Sequence, residues 1–277
     1  MTVANVKWIY DLTIILYALS VLGYFIDFLQ NNRKANQLAF WLLSIVWGLQ
    51  TIFLVIQVIK IGGFPILTPF EGLFFYAWVI VTLSLLINWF FRVDFFVFFA
   101  NVLGFIIMAI NLFAAKGEAS FVLKEQLMSE LSIIHITMAF ISYGAFSLAF
   151  IFSIMYLIQY QMLKEKKWGK RLQRFGNLSY LEKMAYLCSM VGVPLLLLSL
   201  ILGVVWASIK VADFSWLDAK VIISFIVLLA YSTYLYQKVG RGIEGKSLAL
   251  WNVGAFLIVL INVFLSGTLS DFHFWYV

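Results

Sequence analysis

Apolar residues along this chain come in long runs, broken only by short polar punctuation. The first run goes from Trp8 to Leu29 and the last from Leu248 to Leu265. Eight such runs predict helices over roughly 7–29, 37–60, 71–91, 95–113, 130–163, 180–209, 217–238 and 248–267. A bilayer core about 30 Å thick needs about 20 residues at 1.5 Å each, and the runs supply them. The fifth and sixth exceed that need. Their surplus is polar, lies around 160–184, and predicts a helical hairpin projecting from the membrane. The expected fold is all-α: a polytopic membrane protein with eight transmembrane helices forming one transmembrane domain over 1–277. No stretch between spans is long enough to bury a separate core. The first run is too long for the apolar part of a signal peptide, so it is expected to stay as the first span.

Composition agrees with the pattern. The chain is 64% hydrophobic and only 12% charged, against roughly 25% charged residues in soluble domains. Of the 19 lysines and arginines, thirteen fall in alternate connections, among them Arg33, Lys34, Arg92, Lys164 to Arg174, Lys238 and Arg241. The excess of positive charge marks the cytoplasmic side, which puts both termini outside. The net charge of +6 therefore needs no nucleic-acid partner; it follows from topology and from attraction to anionic lipid. The densest basic stretch, "KEKKWGKRLQRF" at 164–175, is a solvated face beside the membrane or a docking site for a cytosolic protein. The single Cys188 excludes an internal disulfide and reads as a small hydrophobe. No nucleophile–base pair, phosphate loop or metal cluster of familiar spacing is present, so the chain is expected not to be an enzyme.

Two histidines stand out against this background. His135, in "LSIIHITMAF", begins the fifth helix; His273, in "SDFHFWYV", follows the eighth. With both termini outside, both belong to the outer layer. An imidazole pair from two facing helices supplies both axial ligands of a haem iron, and the ring needs apolar and aromatic walls. Trp206, Phe214 and Trp216 lie in or beside the connection between the sixth and seventh helices, and Trp275 flanks His273. The alternative is ordinary for a membrane boundary: hydrogen-bonded interface histidines within an aromatic belt. Two ligands without an acidic or thiol cluster make a poor zinc site.

The connection "GVVWASIKVADFSWLDAK" at 203–220 resembles the tryptophan-rich segment of the CcsA/CcmC cytochrome c assembly family, with a pattern near GAVWAxxxWGxxWxWDPKE. Gly203, Val205, Trp206, Ala207, Asp218 and Lys220 match it without gaps. "HITMAFISYGAFSLAFIFSIMYL" at 135–157 and "PFEGLFFYAW" at 69–78 are similar to other segments of that family. The resemblance implies an outward-facing haem platform flanked by two ligating histidines, the places held here by His135 and His273. It implies haem b as cofactor, with Asp218 and Lys220 near the platform and Lys220 or Lys210 facing propionates. No histidine lies deep in a span, so the inner haem site of the larger synthases has no ligands here. Length, eight spans and a degenerate tryptophan segment are similar to a subfamily of Gram-positive bacteria. That resemblance implies a plasma-membrane regulator of haem biosynthesis that limits glutamyl-tRNA reductase; the basic hairpin at 160–184 is expected to carry the contact with that cytosolic partner. A haem carrier or transporter is the alternative.

The remaining polar residues are expected to serve packing. Glu71 follows Pro69 and caps the third helix, or orients an imidazole or a propionate. Gln50, Gln57, Asn88, Asn101, Asn111, Asn252 and Asn262 are expected to make interhelical hydrogen bonds. The small residues Ala139, Ser142, Gly144, Ala145, Ser147 and Ala149 are expected to let another helix approach the fifth closely.

Overall fold

The computed structural model describes residues 4–63, 66, 68–91, 95–113, 129–166, 174, 177–211 and 215–264. Among these residues the regular elements are helical. In chain order they are α1 (Ala4–Gln30), α2 (Arg33–Ile61), α3 (Pro69–Phe91), α4 (Phe96–Ile110, extended by a 3-10 turn Asn111–Phe113), α5 (Glu130–Lys164), α6 (Leu178–Lys210), α7 (Ala219–Val239) and α8 (Lys246–Phe264). All eight are long and apolar enough to cross a membrane. Part of the hairpin expected at 160–184 lies outside the described residues.

Local chemistry explains where these helices start and stop. Asn32, Ser129, Asn177 and Asp218 each precede a helix, and their side-chain oxygens accept from its first free N–H groups. α2 ends on Gly62 in the left-handed region at φ 70°, which a glycine adopts without penalty. At α3, Glu71 Oε2 accepts from the Thr68 N–H at 3.0 Å, and Thr68 Oγ1 accepts from the Glu71 N–H at 3.3 Å. This reciprocal capping box, with Pro69 as the first helical residue, is the first of the roles expected for Glu71.

The helices pack as two units, Met1–Glu118 and Ala119–Val277. In the first, Gly23 and Ala39 bring α1 and α2 together, and the Ser20 hydroxyl donates to the Ala39 carbonyl at 2.9 Å. Tyr17 on α1 donates to Asn101 Oδ1 on α4 at 3.1 Å. Trp47 and Trp78 cross-bond α2 and α3 through Thr82 and Thr51, each at 3.0 Å. Asp27 near the end of α1 accepts from Asn36 Nδ2 of α2 at 2.9 Å.

The second unit is a four-helix arrangement whose directions can be read from its contacts. Ser142 of α5 donates to the Gly192 carbonyl of α6 at 2.9 Å, while His135 meets Ser199 and Gly203, so α5 and α6 run antiparallel. α5 and α8 are also antiparallel: Tyr143 meets Asn262, and the Phe150 ring stacks on Phe256 at 4.4 Å. Lys238 of α7 pairs with Glu182 of α6, which makes that pair antiparallel too. One end of this unit therefore collects the start of α5, the end of α6, the start of α7 and the end of α8. The small stripe on α5 is buried from Ser142 to Ala149. There it allows the close α5–α6 approach expected of it. Gly192 is part of the same seam, its Cα against the Phe146 ring, which in turn stacks on Tyr231 at 3.7 Å.

Candidate functional site

His135 sits on the first turns of α5, half-buried, with its ring against α6. Its Nδ1 lies 2.6 Å from the Ser199 carbonyl oxygen. A carbonyl can only accept, so Nδ1 carries the proton and donates. The Ser199 hydroxyl lies 3.0 Å from the same nitrogen and donates to the His135 backbone carbonyl at 2.9 Å. One turn further along α6, a Cβ built on Gly203 would stand 2.5 Å from Cε1, 2.7 Å from Nδ1 and 3.0 Å from Nε2. The imidazole thus lies on the bare backbone of Gly203. With Nδ1 committed to Ser199, the Nε2 lone pair is the one left to coordinate a metal.

The other residues expected at the site divide by position. Trp206 follows Gly203 by three residues on α6, one turn along the same side of the helix, and is 7% exposed. Trp216, by contrast, lies in the α6–α7 connection and is 62% exposed. Asp218 is buried and caps α7, its Oδ1 accepting from the N–H groups of Lys220 at 2.9 Å and Val221 at 3.4 Å. Lys220 is half-buried on the first turn of α7. Lys210 ends α6 and is exposed. His135, Trp206, Asp218 and Lys220 are thus brought to one end of the second unit. Phe214, His273 and Trp275 lie outside the described residues.

Beside this layer is a buried polar knot. Asn262 on α8 donates through Nδ2 to the Tyr143 hydroxyl at 2.8 Å and to the Ser224 hydroxyl at 3.0 Å. Tyr143 lies two turns along α5 from His135, so the knot ties α5, α7 and α8 on the approach to the site. Further along, Asn252 Nδ2 donates to Ser189 Oγ at 3.3 Å. The interhelical roles expected for Asn101, Asn252 and Asn262 are therefore present, and Gln50 Nε2 reaches Met108 Sδ at 3.7 Å.

The opposite end of the unit carries an ion cluster that pattern reading missed. Lys238 Nζ lies 2.6 Å from both Glu182 Oε1 and Glu244 Oε1, and the Gly245 N–H donates to Glu182 Oε2 at 3.1 Å. The exposed Glu244 carboxyl is held below its ordinary range by the Lys238 hydrogen bond. A cleft of about 470 Å³ opens here between Tyr156, Ser179, Glu182, Lys183 and Tyr186. Sequence reading also missed Ser199. The signal available was Ser199-x-x-x-Gly203, two small residues one helical turn apart, which marks a close helix contact.

A bundle of long apolar helices that presents one imidazole on a glycine shelf, with a tryptophan one turn further along the same helix, defines a multi-pass membrane protein. Residues 66–273 match the family described as Cytochrome C assembly protein. The chain belongs to that family. Within it, the chain is similar to Protein HemX of Bacillus subtilis (strain 168), 56% identical over 264 residues that cover 95% of each chain. It is also similar to Protein HemX of Brevibacillus brevis, 50% identical over 273 residues covering 99% of this chain and all of the relative. Cytochrome c biogenesis protein CcsA of Chlamydomonas reinhardtii is more distant, 28% identical over 230 residues, which cover 78% of this chain and 62% of that protein.

Proposed function

We propose that this chain binds haem b at the His135 end of its second unit and regulates haem biosynthesis by limiting the level of glutamyl-tRNA reductase. The observation that carries the haem reading is the His135 geometry. Nδ1 bonded to the Ser199 carbonyl at 2.6 Å leaves a neutral Nε2, the donor a haem iron takes. His273 would hold the iron as its second ligand; in sequence it lies nine residues beyond Phe264, where α8 ends. Trp206, Phe214, Trp216 and Trp275 wall the ring. Asp218 fixes the start of α7, and Lys220 and Lys210 offer cations to propionates. Haem held there supplies a redox-active iron with a visible absorption band; the protein supplies the ligands, the orientation and an apolar wall.

The distribution of basic residues supports termini outside and the Lys238 end inside, in the plasma membrane of a bacterium. α5 and α6 then run unbroken from the haem layer to the basic hairpin at 160–184, where a cytosolic partner docks. The regulatory role rests on the resemblance to the Gram-positive subfamily; the chain is far more similar to the two HemX proteins than to CcsA, which favours that subfamily over the cytochrome c assembly branch. The test is the cellular level of glutamyl-tRNA reductase. It is expected to rise when this chain is deleted and to stay high with His135→Ala or with the basic residues of 164–174 changed to glutamine. Reductase levels indifferent to deletion would refute regulation. Haem movement across vesicles that depends on His135 would favour a carrier.

A further inference from the structure

Resting on the reading of His135 as a haem ligand, we infer that Gly203 and Ser199 are its positioning residues: together they fix which nitrogen is protonated and where Nε2 points. A helix carbonyl is normally covered by the side chain four residues later, because side chains lean back toward the N-terminus. The residue four after Ser199 is Gly203. With no side chain there, the Ser199 carbonyl stays open along the helix flank, and the His135 ring enters the gap. The built Cβ at 203 would sit within 2.5–3.0 Å of three ring atoms, so any other residue closes it. Both neighbours on α5 and α6 are fixed, because the Ser199 hydroxyl ties the His135 backbone carbonyl at 2.9 Å and Ser142 ties Gly192 at 2.9 Å. A hydrogen bond from Nδ1–H to a carbonyl also makes Nε2 more basic, which strengthens ligation and lowers the reduction potential of a bound iron.

The Ser199 side chain and its carbonyl do separable work. Ser199→Ala keeps the carbonyl and loses the helix tie; Gly203→Ala blocks the carbonyl itself.

The first test needs no haem. Only two histidines exist in the chain, so full-length protein labelled with 15N-histidine in nanodiscs gives two ring spectra, and His273→Gln assigns them. The His135 ring is expected as the Nδ1–H tautomer in the wild type and as Nε2–H or a mixture in Gly203→Ala. An Nε2–H tautomer in the wild type would overturn the inference, whatever the variants do. The second test is haemin titration with potentiometry. Gly203→Ala is expected to weaken haem binding by about 10–100-fold, the usual cost of losing the partner that orients a ligating histidine. Ser199→Ala is expected to keep the spectrum and shift the potential only slightly. If His135→Ala abolishes binding while Gly203→Ala keeps wild-type affinity, spectrum and potential, the positioning role is wrong and the haem reading stands. If the wild type takes up no haem, both fall.

Discussion

Gly192→Ala adds one methyl group to a seam with no room for it. A Cβ at 192 would meet Phe146 Cε1 at 2.5 Å and Cδ1 at 2.8 Å. Contacts that close require something to move. Phe146 has nowhere to go: it is fully buried, and its ring lies flat against Tyr231 at 3.7 Å and 14°. Inserting a methyl into a packed core costs about 1–3 kcal/mol. Replacing a helical glycine by alanine returns about 0.5–1 kcal/mol through backbone entropy. The expected net loss is thus about 0–2.5 kcal/mol, leaving Gly192→Ala about 1–3 kcal/mol below a glycine-to-alanine change with no clash. Gly254 supplies the control, since a Cβ there meets nothing within 4 Å. Gly254→Ala therefore keeps only the entropic gain and is expected to be neutral or slightly stabilising. Equilibrium unfolding with increasing SDS in mixed micelles reads both. Phe146→Leu removes the obstructing ring edge, so the Gly192→Ala penalty should shrink by more than half in that background. A Gly192→Ala protein as stable as Gly254→Ala, or a penalty that persists without the ring, would refute the packing argument.

Three further outcomes follow from the same geometry. Tyr143→Phe and Asn262→Leu are expected to show a coupling of about 0.6 kcal/mol, at most about 1.7, in a double-mutant cycle by SDS unfolding, as membrane hydrogen bonds do; strict additivity would mean that the 2.8 Å contact contributes nothing. Glu71→Ala should cost about 0.5–2 kcal/mol through loss of the α3 capping box and leave any haem spectrum unchanged; a changed spectrum would instead assign Glu71 to the haem site. Glu244 has its folded pKa depressed by Lys238, so its ion pair stabilises the fold above the unfolded carboxylate pKa. That contribution disappears as pH falls through the lower, folded value. Glu244→Gln should therefore flatten the acid limb of a thermal-stability profile, and an unchanged limb would count against the pairing.

The long helices were legible because a membrane imposes one rule, continuous apolar segments of about 20 residues, and composition alone satisfies it. Their ends were legible only approximately: α2 begins at Arg33 rather than near 37, because Asn32 caps it and a cap leaves no mark in the apolar pattern. His135 was legible by rarity, and Trp206 and Lys220 by the family resemblance that placed them beside it. Ser199 was not, because its part in the site belongs to a backbone carbonyl, and a carbonyl has no signature in sequence. The role of Gly203 lay hidden inside a motif position whose reason is visible only when the imidazole is seen against it. The ion cluster at the other end was missed because Glu182 is 56 residues from Lys238, and the two meet only when α6 packs against α7; Glu244, six residues after Lys238, joins them across the α7–α8 turn.

The central claim is that His135 and His273 together ligate haem. The most direct test is the absorbance spectrum of the purified full chain, oxidised and dithionite-reduced, beside His135→Ala and His273→Ala. Ligation by both histidines gives a sharp low-spin b-type spectrum in the wild type that is lost in both variants. A wild type that stays colourless and refuses added haemin would contradict it.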